Sequence, residues 1–253
     1  MQLIHIFSIA PFAPLLASIL VGLFGNKFSK VFSYGLTTAS VGLAFFVAIY
    51  TLYITSHGFS GEFTLYQWLS TGSYTFEIGF MIDNLTALMM VVVTFVSLMV
   101  HIYTIGYMRD DPGFSRFFSY ISLFTFAMLM LVMSNNFLQL FFGWEGVGLV
   151  SYLLIGFWYQ KPTAIHANLK AFLVNRVGDI GLLLGVALIL FWFGSLDYQT
   201  VFGRAAALES QEIFLVGDFS VSLFSLICIL LFIGAMGKSA QIPLHVWLPD
   251  SME

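Results

Sequence analysis

The sequence predicts an all-α integral membrane protein with about seven transmembrane helices, a short extracytoplasmic β-hairpin and a broken seventh helix. Hydrophobic residues make up 59% of the 253 residues and charged residues only 9%, whereas a soluble domain carries roughly 25% charged residues. The mean hydropathy is +0.94. The apolar residues also form separate runs of the length, about 20 residues, that crosses a bilayer as a helix. We therefore treat the bilayer as the solvent of this chain.

Each predicted span is an apolar run bounded by polar or turn-forming residues. The first run has no basic segment ahead of it and no clear small-residue cleavage site, so we expect a retained helix rather than a signal peptide. The third run follows Asp83, a residue type that caps helix N-termini. Glycines in the fifth and sixth runs are predicted to let helices pack closely. The seven runs are 3–24, 31–56, 83–108, 114–134, 136–159, 166–194 and 218–248.

Two connections between spans are predicted to carry structure of their own. Residues 62–80 alternate bulky and polar side chains on either side of Ser-Thr-Gly-Ser at 70–73, a pattern of period two with a central turn that predicts a surface β-hairpin. Residues 195–212 are polar enough to leave the membrane. They fit a short amphipathic helix and a plain loop about equally well.

The basic residues predict the orientation of the chain, because lysine and arginine near helix ends stay on the cytoplasmic side. Alternate connections separate cleanly, which places the N-terminus outside and the end of the seventh span inside. We expect a multi-pass protein of the cell inner (plasma) membrane; for a bacterial protein, outside means the periplasm. One side carries Lys27, Lys30, Arg109, Arg116, Lys161 and Lys170, and the other carries only Arg204.

Four charged residues fall inside the predicted spans. Glu145 lies on span five, Arg176 and Asp179 on span six, and Lys238 on span seven. Each charge costs roughly 2.5–3.5 kcal/mol in a bilayer, so they need partners, water or neutralisation. Arg176 and Asp179 are three residues apart and can pair on one helix face. This leaves Glu145 and Lys238 for each other. We interpret the four as a proton relay, and the alternative is a static ion pair that fixes helix packing.

A helix break is predicted beside Lys238. Pro243 has no N–H group, so the carbonyl of Ser239 would lose its helical partner. Gly234 and Gly237 leave little steric bulk around the lysine. Interrupted helices mark ion sites in many transporters, because unpaired backbone in a membrane must face protein or water. The alternative interpretation is a proline kink that only shapes packing.

Three histidines are weaker candidates. His101 and His245 lie near the predicted cytoplasmic ends of their spans, and His166 lies at the start of one. Each could relay protons, since histidine titrates near neutral pH. An interfacial or hydrogen-bonded structural role explains each of them at least as well.

Several chemistries are excluded on this chain by the motifs that are missing. The single cysteine, Cys228, excludes an internal disulfide and an iron–sulfur cluster held by this chain alone. The sequence contains no G-x-G-x-x-G, no Walker A motif and no spaced Cys/His cluster. We expect no metal site and no nucleic-acid partner, and any redox or nucleotide chemistry around this protein belongs to another chain.

Four motifs in order resemble one family. GWEGVGLVSYLLIGFW, IHANLKAFLVNRVGDIG and GKSAQIPLHVWLPDSME, together with YMRDDPGFSRFF, are similar to the antiporter-like subunit L of proton-translocating NADH:quinone oxidoreductase, respiratory complex I. The resemblance covers essentially the whole chain. It implies that residues 1–253 form one membrane domain, the N-terminal part of a longer subunit, and that this chain is truncated at its C-terminus.

The resemblance also implies a function and partners. In this family a glutamate on span five and a lysine on span seven form a proton-channel pair, which carries over to Glu145 and Lys238. Arg176 and Asp179 match the charged positions of span six. The resemblance further implies other complex I membrane subunits as partners, with NAD, FMN, iron–sulfur clusters and quinone bound on partner chains.

Two other classes of function remain open from the sequence. One is a subunit of a sodium/proton antiporter or a related ion-coupled uptake system, because those families resemble subunit L in the same helices. The other is a structural membrane scaffold with inert buried ion pairs. The stretch NRVGD and the run WEGVGLVSYLLIGFW favour the complex I subunit.

Overall fold

The computed structural model describes residues 2–25, 27, 29–72, 74–216 and 219–252. Within these residues the chain is mainly helical, with two small antiparallel hairpins on the side of the bundle opposite the basic connections. The α-helices are α1 Gln2–Phe24, α2 Lys30–Ser56, α3 Asn84–Tyr107, α4 Phe114–Val132, α5 Phe137–Ile155, α6 Pro162–Phe193, α7 Tyr198–Arg204 and α8 Leu223–Lys238. The strands are β1 Gly61–Thr71, β2 Tyr74–Ile82, β3 Glu212–Val216 and β4 Phe219–Ser222, and short 3-10 turns cover Ala205–Leu208 and Pro249–Met252.

The first six predicted spans are confirmed as helices. Helices α1 to α6 are each long and apolar enough to cross a membrane. The side chain of Asp83 caps α3 by accepting a hydrogen bond from the Thr86 N–H at 2.7 Å. Helix α6 begins four residues before the predicted start, because Pro162 needs no N–H partner in the first turn of a helix.

The seventh predicted span is shorter than the sequence suggests. Helix α8 has 16 residues, about 24 Å at 1.5 Å per residue, which is less than the hydrocarbon thickness of about 30 Å. It ends at Lys238, and the chain reverses through Ala240, whose φ is 49°. The Trp247 indole N–H then donates to the Gly237 carbonyl at 3.0 Å. The predicted break beside Lys238 is confirmed, but the helix ends before Pro243 is reached, so a helix continuing to residue 248 is wrong.

Helices α1 to α4 form one bundle, and α5, α6 and α8 are added to its side. Helix α1 packs on α2 and α4, α2 packs on α3, α4 packs on α5, and α6 packs on both α5 and α8. Buried hydroxyls join α1 to α4: Ser18 Oγ donates to the Ser119 carbonyl at 2.8 Å, and Ser122 Oγ donates to the Pro14 carbonyl at 2.9 Å. Such hydrogen bonds stabilise helix packing in a bilayer, where the hydrophobic effect does not drive helices to associate.

Glycines bring α6 and α8 into close contact, as predicted. A Cβ placed on Gly178 would lie 3.1 Å from the Cα of Gly237, and one on Gly181 would lie 2.6 Å from the Ile233 side chain. A larger residue would clash with Ile233 at position 181 and would have to push the two helices apart at position 178. The contact places the end of α8, and therefore Lys238, beside the middle of α6.

The predicted hairpin between spans two and three is confirmed. Strands β1 and β2 pair antiparallel from Gly61 with Ile82 to Thr71 with Tyr74. Gly72 adopts a φ of 57°, a conformation that glycine reaches at little cost. Ser73, part of the predicted turn, lies outside the described residues.

The connection between α6 and α8 contains the short helix that was one of the two predicted outcomes. Asp197 caps α7 by accepting a hydrogen bond from the Thr200 N–H at 2.8 Å. The hairpin of β3 and β4 that follows was missed, because its strands have only five and four residues and β4 was assigned to the seventh span. Gly217 and Asp218, at the predicted start of that span, lie outside the described residues.

Candidate functional site

Helix α5 contributes three residues to the site: the acidic Glu145, Trp144 and Gly148. Trp144 and Glu145 lie about halfway along the helix, and Gly148 follows Glu145 by three residues, so it lies on nearly the same face of α5. The side chain of Glu145 is 25% exposed. Its Oε2 accepts a hydrogen bond from Arg176 of α6, while Oε1 is buried without a hydrogen-bond partner among the described residues.

Helix α6 contributes the two charges that connect its neighbours. Arg176 and Asp179 are three residues apart, and Nη1 of Arg176 lies 3.4 Å from Oδ2 of Asp179, which confirms the predicted pair. Arg176 also lies over the ring of Phe172, at 4.9 Å from its centre. The guanidinium therefore contacts two carboxylates, one on α5 and one on its own helix.

Lys238 closes the cluster from the end of α8. Its Nζ lies 3.9 Å from Oδ1 of Asp179 and 5.9 Å from the centre of the Trp144 ring. The Trp144 indole N–H donates to the same oxygen of Asp179 at 2.7 Å. Asp179 is the most buried of the four charged residues, at 6% exposure, against 17% for Lys238.

The predicted direct pair of Glu145 with Lys238 is wrong in this geometry. Among the described residues, the salt bridge of Glu145 goes to Arg176 and that of Lys238 to Asp179. The reason is the position of Lys238 along α5. A Cβ on Gly148 would overlap its Nζ, and Gly148 is about 4.5 Å further along the helix axis than Glu145. The four charges instead form a chain of alternating sign, from Glu145 through Arg176 and Asp179 to Lys238. We call these four residues the charged cluster.

A small cavity adjoins the charged cluster. It measures about 10 Å³, and its lining combines apolar residues with the polar side chains of Ser151, Tyr152, Asn175, Arg176, Asp179 and Lys238. This is close to the space that a single water molecule requires. The side-chain oxygen of Asn175 is also buried without a hydrogen-bond partner among the described residues. Polar groups left in this way are normally satisfied by water.

The other predicted candidates lie apart from the cluster. His101 is fully buried in α3, where its Nδ1 bonds to the Ser97 carbonyl at 2.8 Å. His166 and His245 are exposed, at the start of α6 and after α8. Pro243 lies outside α8. None of these residues contacts the charged cluster in the described part of the chain.

Three residues at the site, Trp144, Gly148 and Asn175, were not predicted from the sequence. Trp144 is next to Glu145, and Asn175 is next to Arg176. Their position beside a charged residue inside a span could therefore have identified both as site residues. The sequence around Gly148 indicates only helix packing, because its contact with Lys238 depends on how far α8 extends alongside α5. Within the described ranges, no group of three or more His, Cys, Asp or Glu residues is placed to hold a metal ion.

Comparisons with known proteins show which family the chain resembles. Residues 134–253 match the family described as NADH:quinone oxidoreductase/Mrp antiporter, TM, and residues 68–118 match NADH-Ubiquinone oxidoreductase (complex I), chain 5 N-terminus. A protein of Neisseria meningitidis serogroup A named NADH-quinone oxidoreductase subunit L is 56% identical over 252 residues, which is 98% of this chain and 37% of that protein. Over nearly its whole length the chain is similar to the antiporter-like membrane subunits of complex I.

Further members of the antiporter-like family match over a similar range. NADH-ubiquinone oxidoreductase chain 5 of Arabidopsis thaliana is 47% identical over 243 residues, 96% of this chain and 36% of that protein. NADH-quinone oxidoreductase subunit L of Rickettsia bellii is 48% identical over 241 residues, 95% of this chain and 37% of that protein. The chain thus spans a little over a third of the length of these relatives.

Solved structures share the fold of this antiporter-like chain. A chain of the Mrp complex from Dietzia sp. DQ12-45-1b superposes with a TM-score of 0.79 at 21% identity, over 97% of this chain and 25% of that chain. A chain of the membrane-bound sulfane sulfur reductase, an archaeal respiratory membrane complex, gives the same TM-score at 17% identity, over 97% of this chain and 47% of that chain. A multi-pass, mainly helical membrane fold is therefore common to all three.

Proposed function

We propose that this chain is part of a proton-translocating subunit of NADH:quinone oxidoreductase, complex I, and that its charged cluster moves protons. Partner chains would bind NAD, FMN, iron–sulfur clusters and quinone and carry out the redox chemistry. The subunit would lie in the inner (plasma) membrane with its N-terminus outside. The observation that carries the proposal is the unbroken chain of charge contacts across α5, α6 and α8, with a water-sized cavity beside it.

Arg176 is the residue whose movement can change the ion pairs of the charged cluster. It contacts both Glu145 and Asp179, so a small movement toward either carboxylate weakens its attraction to the other. When Arg176 is held by Glu145, Asp179 is left to stabilise the ammonium form of Lys238. When Arg176 moves onto Asp179, Lys238 loses much of that support, because a nearby opposite charge is what favours the charged form of a lysine. Release of the proton from Nζ then becomes easier.

The proton itself is held and passed on by Lys238. Its Nζ is the cluster's only proton-donating group that can become neutral without a very large free-energy cost, since arginine remains protonated in proteins. Glu145 acts at a distance, through Arg176 and Asp179, rather than by direct contact. Trp144 fixes Asp179 through its indole N–H, which keeps the carboxylate facing the lysine.

Single substitutions in the assembled complex test this proposal. We expect Lys238→Ala and Glu145→Gln each to reduce proton pumping and coupled turnover strongly, while assembly survives. Glu145→Asp should retain part of the activity, because the charge remains on a shorter side chain. Lys27→Ala and Glu209→Gln, which change exposed charges away from the cluster, should pump like the wild type. Unchanged pumping in Lys238→Ala would overturn the assignment.

A sodium/proton antiporter subunit is the second candidate. The matched family description names Mrp antiporter along with NADH:quinone oxidoreductase, and a chain of an Mrp complex has the same fold. The identities of 47–56% to complex I subunits favour the first candidate. Sodium uptake by vesicles in the absence of NADH, lost in Lys238→Ala, would favour the second.

A further inference from the structure

Two cavities, each lined partly by polar side chains, lie in series between the basic connections and the charged cluster. We call the end of the bundle that carries Lys27, Arg109 and Lys161 the basic side. The first cavity, about 210 Å³, opens there between the ends of α4, α5 and α6. The second is the water-sized cavity beside the cluster. Tyr152 of α5 lines both of them, so it lies on the boundary between the two.

Helix α6 provides one asparagine to each cavity. Asn168 lines the first and Asn175 the second. The two are seven residues apart, and Asp179 follows Asn175 by four, so all three lie on one face of the helix. From Asn168 to Asp179 the rise is about 16 Å. This face of α6 therefore leads from the basic side to the cluster.

Both asparagines have side-chain oxygens that need water. Oδ1 of Asn168 and Oδ1 of Asn175 are buried, and neither has a hydrogen-bond partner in the described part of the chain. Leaving such an oxygen unpaired costs about 1–3 kcal/mol, and a water molecule in the adjoining cavity would pair with it. The amide group of Asn175 is already fixed, since its Nδ2 donates to the Ala171 carbonyl at 2.9 Å.

An aromatic pair lies at the boundary of the two cavities: Tyr152 lines both of them, and Phe172 lines the inner one. The ring of Tyr152 meets that of Phe172 edge to face, with centres 5.4 Å apart. Phe172 lies on α6 between Asn168 and Asn175. Arg116 lines the first cavity, where its guanidinium lies over the Phe157 and Tyr159 rings and donates to the Phe157 carbonyl at 3.1 Å.

We propose that Asn168 and Asn175 line the path by which protons reach the charged cluster from the basic side, and that the Tyr152–Phe172 pair is its gate. This rests on the proposed proton transfer by the cluster. Along the path, an O–H bond forms on each water as the bond on the preceding water breaks, and the last transfer protonates Nζ of Lys238. Rotation of the Tyr152 ring would join the two cavities into one file of water.

Apolar substitutions test the path in the assembled complex. Asn168→Leu and Asn175→Leu remove the oxygens that hold water, and we expect each to slow proton pumping on the order of tenfold, as loss of a water-holding polar group would. Asn84→Leu, the same change at an exposed position on α3, should pump like the wild type. Glu145→Gln is measured in parallel. If it stops pumping while both path variants pump normally, the path is wrong and the proposed function stands. If all three pump normally, both fail.

Thiol labelling tests the gate independently of pumping. In a Cys228→Ser background, Asn175→Cys should resist a small membrane-impermeant thiol reagent added from the basic side, because the inner cavity admits only about one water. Asn168→Cys should react. Adding Tyr152→Ala should speed labelling at position 175 severalfold, whereas Tyr152→Phe, which keeps the ring, should not. Equal labelling at position 175 with and without Tyr152→Ala would overturn the gate.

Discussion

Gly148 determines how closely the Lys238 ammonium approaches α5. A Cβ at this position would overlap Nζ of Lys238, so the lysine occupies the space that any other residue would fill. The same ammonium is 3.9 Å from Asp179 and lies over the face of Trp144. The missing side chain of Gly148 is therefore part of the ion-pair geometry.

A single methyl group at Gly148 should disturb the cluster. We expect Gly148→Ala to push Lys238 away from Asp179 and to lower proton pumping severalfold, while the subunit still assembles, because overpacking of this size costs about 1–3 kcal/mol. Gly106→Ala is the matched control, since a Cβ there meets nothing within 4 Å. Proton pumping per NADH oxidised in vesicles is the measurement. Equal pumping in both variants would show that the position of Lys238 is not critical.

The sequence predicted the members of the charged cluster but not all of their partners. Arg176 and Asp179 were paired correctly because their spacing of three residues fixes them on one helix face. The pairing of Glu145 with Lys238 was wrong because it depends on the relative depth and rotation of two helices. The contact of Gly178 with Gly237 sets the depth of α8 against α6, and Gly148 sets where Lys238 meets α5; spacing along one helix reveals neither.

At the scale of elements, the β1–β2 hairpin is tied to the helices through amide side chains. Asn135, in the α4–α5 connection, donates to Glu62 Oε1 of β1 at 2.8 Å, and Gln139 Oε1 accepts from the Gly79 N–H of β2 at 2.9 Å. Burial raises the pKa of Glu62 above its ordinary value, and the nearby carboxylate of Asp197 raises it further, while the bond from Asn135 lowers it. Glu62 therefore links the hairpin to the α4–α5 connection through Asn135 and to the α6–α7 connection through Asp197. Its ionisation with rising pH should change these contacts.

The anchoring of the hairpin should weaken as the pH rises. A carboxyl group whose pKa is raised in the folded state stabilises that state fully below its unfolded value, near 4.5, and the contribution is lost as the pH climbs through the raised value. We expect backbone amides of residues 61–82 to exchange faster at about pH 8 than at about pH 5, after correction for intrinsic rates. Glu62→Gln should remove this difference, and Glu209→Gln should keep it. A difference that persists in Glu62→Gln would contradict the role of Glu62.

Hydropathy predicted the existence of each long helix but not where the last one ends. The apolar run continues past Lys238, while the backbone turns back at Ala240 with a positive φ. Helix ends of this kind usually carry glycine at that position, so an alanine gives no sequence signal. The six longer helices were predictable because about 20 apolar residues in a bilayer have few alternatives to a helix.

At the scale of the whole molecule, the basic connections gather at one end of the bundle. Lys30 Nζ donates to the Arg109 carbonyl at 2.6 Å, which joins the α1–α2 and α3–α4 connections. Lys170 and Asp250 form a salt bridge at 2.7 Å near the same end. Basic residues near helix ends favour the cytoplasmic side. This asymmetry predicts an orientation with the β1–β2 hairpin outside.

Site-directed labelling checks that orientation. In a Cys228→Ser background, we expect Thr71→Cys in the hairpin to react with a membrane-impermeant thiol reagent added outside, while Ser29→Cys at the basic end reacts only after the membrane is opened. Both positions are exposed, so burial does not explain a failure to react. The opposite labelling pattern would invert the bundle and make the Asn168 path face the other compartment.

Proton pumping by a doubly neutralised cluster is the most direct test of the account. The complete subunit carrying Glu145→Gln and Lys238→Ala is assembled with its partner chains, reconstituted in vesicles and supplied with NADH and quinone. Loss of both charges leaves Arg176 and Asp179 paired with each other, so we expect assembly to survive and protons moved per NADH oxidised to fall strongly. Full proton transfer with both residues neutralised would contradict the account and leave the cluster as a static ion pair.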